Sequence, residues 1–95
     1  MSDDALPPDV FAVLDQLLEE AGVAVSAGEY DTARSAVDSA ATVTENKVPP
    51  GLQREILEHC CATVTDLLAA DEIEDELIRE YLRATRERLA VADGE

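Results

Sequence analysis

The chain contains no tryptophan, one phenylalanine, two tyrosines, one histidine and one lysine in 95 residues. With so few large aromatics, any core must be built from aliphatic side chains, chiefly Leu, Val and Ala. The lone His59 leaves no second imidazole to complete a zinc site, which needs about four converging ligands. The only two cysteines, Cys60 and Cys61, are adjacent in the chain. Joined to each other they would form a strained ring, so both are expected as free thiols. No apolar run approaches the roughly 18 residues of a membrane span. The opening Met1-Ser2-Asp3-Asp4 is acidic where a secretory signal is basic, which predicts a cytoplasmic protein with no membrane partner. Positive charge is the scarcest commodity: seven basic residues, six of them arginine, face 22 carboxylates for a net charge of −15. Such a background opposes contact with a polyanion, so nucleic acid is not an expected partner.

What is present is aliphatic and acidic. Hydrophobic residues make up 46% of the chain, enough for one domain with a modest core and too much for a disordered segment. A net charge of −15 on so small a core opposes compaction in dilute buffer. Molar salt shortens the Debye length to about 3 Å and screens that repulsion. The acids run from Asp3 to Glu95 rather than gathering in one tract, as a solvated surface requires and a single acidic docking patch does not. This composition resembles that of proteins from halophilic archaea, which favour Asp and Glu over Lys and small aliphatics over aromatics.

Apolar spacing of 3.6 residues recurs along the chain, and no window alternates with period two, so the expected fold is all-α. Prolines and glycines mark the first two junctions, and the third, Leu68 to Asp71, has neither; the expected helices run over roughly 8–27, 30–46, 50–69 and 73–91, with flexible tails at 1–5 and 93–95. Pro7-Pro8 suits the opening of the first helix and Gly28 its end. The expected inward stripes are Val10, Leu14, Leu17, Leu18, Ala21 and Val25, then Tyr30, Ala33, Val37, Ala40 and Thr44. The third helix offers Leu52, Ile56, Cys60, Val64, Leu67 and Leu68, and the fourth Ile73, Leu77, Tyr81, Ala84 and Leu89. Asp71 with Glu74 three residues on reads as a capping-box-like start for the fourth helix. The two halves open alike, at Leu6-Pro7-Pro8 and Val48-Pro49-Pro50, which predicts one domain of two antiparallel helical hairpins.

Gly28-Glu29-Tyr30-Asp31-Thr32-Ala33, followed by Val37 and Ala40, resembles the centre of a tetratricopeptide repeat. The likeness spans roughly Leu17 to Ala40, and it departs from the family at Ala24, where an aromatic is expected, and at Glu45, where a proline is. It implies protein–protein binding. As a whole the chain resembles the small, uncharacterised acidic helical proteins of haloarchaea, a resemblance that implies no activity.

His59-Cys60-Cys61 is the one cluster of soft ligand types, but successive helical residues point about 100° apart and cannot surround an ion together. A helical histidine in a four-helix bundle also resembles a phosphotransfer domain, although Ala62 and Thr63 stand where that family has Lys and Gly. Glu55-x-x-Glu58 and Glu72-x-x-Asp75 resemble the Mg²⁺-holding pairs of the all-α nucleotide pyrophosphohydrolases. That likeness implies a metal-dependent hydrolase with those four carboxylates as ligands. Acidic pairs at this spacing are common in so acidic a chain, and Glu72 falls at an expected helix start. Arg79, Arg83 and Arg86 share one face of the fourth helix with Asp75, Glu80 and Glu87 at ion-pairing spacing. The function expected is accordingly a non-catalytic protein-interaction or assembly module, binding another protein or itself as a homodimer, with no cofactor. The hydrolase is the alternative.

Helical circular dichroism is expected to be weak or thermally labile in dilute buffer and to strengthen toward molar KCl. A melting temperature indifferent to salt would contradict the reading of the charge as an adaptation to brine.

Overall fold

The computed structural model describes residues 7–94, with side chains through Leu89. Four helices follow one another: α1 (Pro8–Ser26), α2 (Tyr30–Lys47), α3 (Leu52–Leu68) and α4 (Asp75–Gly94), with no strand among the described residues. The chain is thus the expected all-α domain of two helical hairpins. Residues 1–5 and Glu95 lie outside the described residues. The rest of the tail expected at 93–95 is helical, because no Gly or Pro interrupts α4 before Gly94 itself.

Each boundary has a local cause. Pro8 occupies the first turn of α1, where the missing N–H costs nothing, and the Phe11 amide closes that turn on the Pro7 carbonyl at 2.9 Å. At the other end Glu29 N–H donates to Ala24 O at 2.8 Å and Gly28 N–H to Val25 O at 3.1 Å. These two bonds form a Schellman motif, which requires the left-handed conformation that Gly28 adopts at φ 76°. Between α2 and α3, Val48 is extended ahead of Pro49, as a residue before proline prefers, and its side chain is buried. Gly51, at φ 153° and ψ −172°, delays α3 to Leu52, two residues later than expected.

The α3–α4 junction departs furthest from expectation. Residues 69–74 are not helical, α4 starts at Asp75 rather than 73, and the Asp71–Glu74 capping box is not used. Partners from α2 hold the junction instead. The Tyr30 hydroxyl donates to Asp75 Oδ1 at 2.8 Å, and Arg34 Nη2 donates to the Leu68 carbonyl at 2.9 Å. Arg34 thereby satisfies a carbonyl that the end of α3 leaves without an intrahelical partner. Asp75 gains a donor in the first turn of α4, where the helix dipole also favours a carboxylate.

The helices close into a ring in which α1 packs along α2 and α4, and α3 along α2 and α4, while the diagonal pairs make no close backbone approach and the Tyr30–Asp75 hydrogen bond links the starts of α2 and α4. Arg86 reaches Asp15, and Leu82 lies 4.0 Å from where a side chain on Gly22 would begin. Residue numbers that rise on one helix as they fall on the other make the α1–α4 seam antiparallel. The α1–α4 contact makes this a closed bundle, whereas a tetratricopeptide array stacks each repeat only on its neighbours. The ring encloses one core that includes Leu14, Leu18, Val37, Leu57, Val64, Ile78, Leu82 and Leu89. Burying each of the larger aliphatics contributes about 1.5–3 kcal/mol. The two buried threonines are satisfied locally, Thr44 on the Ala40 carbonyl at 2.8 Å and Thr85 on the Tyr81 carbonyl at 3.0 Å.

In α1 and α2 the expected stripes face the core. In α3 the expected Cys60, Val64 and Leu68 are buried, but Leu57 and Cys61 join them in place of Leu52 and Ile56, and in α4 the inward face is turned by about one residue. α3 buries Leu57, Cys60, Cys61, Val64 and Leu68, and α4 buries Ile78, Leu82, Thr85 and Leu89. Leu52 and Leu77, expected inside, are 69% and 45% exposed. The shift arises because each helix carries two neighbouring apolar columns, and packing against two partners selects one of them.

Gly28→Val is expected to cost about 1–2 kcal/mol, because no neighbouring atom obstructs the new side chain and the penalty is that of the left-handed backbone alone. A fall in melting temperature of roughly 5–15 °C would report it, and Gly28→Asn should lose less.

Candidate interaction groove between α3 and α4

The columns that α3 and α4 turn away from the core line an open groove of about 570 Å³. Leu52 and Ile56 come from α3, and Leu77, Tyr81 and Ala84 from α4, with Glu55, His59, Glu80 and Arg88 around them. The His59 and Tyr81 rings face each other across it with centroids 6.1 Å apart. This pair bridges the two helices at one level, and the apolar surface beside it stays open.

The four carboxylates of the hydrolase alternative stand apart from one another. Glu55 borders the groove, Glu58 pairs with Arg54 at 3.0 Å, Glu72 lies exposed in the α3–α4 connection, and Asp75 accepts from Tyr30. Glu58 sits ten residues before the end of α3, so about 15 Å of helix separates it from the turn that holds Glu72. Among the described residues no group of three or more His, Cys, Asp and Glu side chains is placed to hold a metal ion.

The arginine face divides. Arg86 makes a two-pronged contact with Asp15, at 2.9 and 3.3 Å, that ties α4 to α1. This hydrogen-bonded carboxylate, with Glu19 nearby, raises the guanidinium pKa above its ordinary value against the opposing effect of burial. Arg83 lies 3.4 Å from Glu87 and 3.9 Å from Glu80 on its own helix. Asp75, four residues before Arg79, is taken by Tyr30 instead.

His59 faces the groove, whereas Cys60 and Cys61 both point inward. Cys60, in the expected stripe, is 1% exposed, and Cys61, one residue on, is 5% exposed. Because α3 is flanked by α2 on one side and α4 on the other, its buried arc is wide enough for two consecutive residues. Burial pushes the Cys61 thiol up to about 12, with Cys60, Asp38 and Glu58 adding to the effect. Burial also raises Cys60, partly offset by the Thr85 hydroxyl. Neither thiol has the lowered pKa of a nucleophile.

Fold and surface together define a small four-helix domain with an open apolar seam and dispersed negative charge. The chain belongs to the DUF8101 family, a domain of unknown function, which it matches over residues 1–91. No curated protein and no solved structure matches it. Among the described residues no helix is long and apolar enough to cross a membrane.

A bulky thiol reagent at pH 8 is expected to label both cysteines at one slow rate, several thousandfold below that of the unfolded chain, as an opening cost of about 5 kcal/mol implies. Prompt labelling of Cys61 alone would show that the α2–α3 seam opens locally. Because the folded thiol pKa is raised, the neutral form's contribution to stability is complete below the ordinary value of 9.0 and is lost as pH rises toward about 12. The urea midpoint should therefore fall above pH 9, and less steeply in Cys61→Ala.

Proposed function

We propose that this protein is a non-catalytic interaction or assembly module of a salt-rich cytoplasm and that it docks through the α3–α4 groove. One observation carries the reading: Leu52, Ile56, Leu77 and Tyr81 line one groove and gather two of the large exposed hydrophobics of an otherwise acid-rich surface, the other two, Val13 and Val23, standing apart on α1. Covering such a strip is favourable by about 25 cal/mol for each Å² removed from water. The term persists in molar salt, where long-range charge attraction is screened. The dispersed acids keep much of the remaining surface hydrated.

Leu77→Asp places a charge at the groove and leaves the core stripe of α4 untouched, so its circular dichroism should match that of the parent. Affinity capture at molar KCl from the native cytoplasm, with the chain's own copies counted among the possible catches, should retain a set of proteins on the parent and lose it on Leu77→Asp. A binding loss of roughly 30-fold is expected for an anchor residue. An identical set on both baits would refute the groove as the docking surface.

A further inference from the structure

We propose that the occupant of the groove is a second copy of this chain, docked across a two-fold axis that passes beside Ala84; this rests on the reading of the groove as a docking surface. The exposed strip of α4 is self-complementary. Glu80 and Arg88 each stand four residues from Ala84, one helical turn or about 6 Å to either side. When α4 packs antiparallel on its copy about Ala84, each Arg88 meets the partner's Glu80. Both side chains are exposed, and Arg88 makes no ion pair among the described residues. The small Ala84 at the crossing lets the two helices approach to the 8–10 Å of a packed pair.

The apolar residues obey the same symmetry. His59 lies beside Tyr81, and α3 runs antiparallel to α4, so Leu52 stands at the level of Arg88 while Leu77 lies beyond the Glu80 end. A two-fold axis exchanges the ends of the groove and carries Leu52 of one copy to the level of the partner's Glu80, within one helical turn, about 4.5 Å, of the partner's Leu77. The two exposed leucines of the strip, 69% and 45% exposed in the single chain, are then covered by one contact made twice, as an isologous interface requires. The molecule is 45 Å long and 21 Å across, which provides a long face of the size such interfaces occupy, about 800 Å² per partner. The net charge of −15 per copy opposes association, so the dimer should tighten as salt screens that repulsion.

Sedimentation equilibrium of the full chain at 0.3 M and 3 M KCl tests the proposal. The parent should be a dimer that dissociates more readily at the lower salt, and Ala84→Arg and Leu77→Asp should be monomers with unchanged helical signal. At 0.3 M, Glu80→Arg and Arg88→Glu should each weaken the dimer by roughly tenfold or more, and the double variant should recover it. Glu80→Arg is the sharpest arm, because it lowers the overall repulsion and so would strengthen any dimer in which residue 80 has no cationic partner. A monomeric parent at both salts overturns the dimer. If Leu77→Asp still abolishes capture of some other protein, the groove remains a docking surface with a different occupant. A dimer indifferent to Leu77→Asp overturns both readings. A dimer sensitive to Leu77→Asp but strengthened by Glu80→Arg, or not recovered in the double variant, overturns the two-fold geometry.

Discussion

Closing four helices into a ring obliges each of them to face two neighbours at once, and the surface of this protein follows from that constraint. α4 must present apolar side chains to α3 and to α1 together, and Ile78, Leu82, Thr85 and Leu89 form the column that lies between them. The Arg86–Asp15 contact fixes the same rotation from the α1 side, since Arg86 can reach Asp15 only when that column points inward. With α4 so oriented, Leu77 and Ala84 are turned out of the core and Tyr81 lies half-buried at its edge. α3 is constrained in the same way, and it turns Leu52 and Ile56 toward the same seam. The apolar groove is thus the remainder of two helices that carry more apolar columns than a four-membered ring can enclose.

The two ends of the bundle are held by different means. Where α1 passes to α2, the backbone suffices: a left-handed glycine and two main-chain hydrogen bonds reverse the chain. Where α3 passes to α4, six residues without a glycine or proline are secured by Tyr30 and Arg34 from the opening of α2. The second hairpin therefore depends on the first for its turn. That dependence joins the halves at one end, and the α1–α4 seam joins them along their length.

Charge and burial act on separate parts of the molecule. The described acids lie at exposed or half-buried positions, and those drawn into specific contacts, such as Asp15 and Asp75, meet an arginine and a phenol. The core holds no charged group among the described residues. Salt can then alter the repulsion across the surface without touching the packing inside. The proposed docking surface, aliphatic side chains and one tyrosine, has a driving force that does not depend on unscreened charge.

Periodicity and punctuation determined a good deal by themselves. The all-α class, four helices, the stripes of α1 and α2, and the glycine turn at 28 all follow from interactions within a few residues along the chain. What only the tertiary structure decided is the rotation of α3 and α4. In both helices adjacent positions, Ile56 with Leu57, Leu77 with Ile78 and Tyr81 with Leu82, are comparably apolar. Local spacing cannot rank one column above the other, whereas packing against two neighbours can. The same choice buried Cys61, released Leu52 and Leu77, and made the groove. It also left Glu55, Glu58, Glu72 and Asp75 in separate places, because spacing along a helix puts residues on one face but does not bring distant helix ends together. The start of α4 at Asp75 was hidden for a related reason: its stabilising partners, Tyr30 and Arg34, lie more than thirty residues away in the chain.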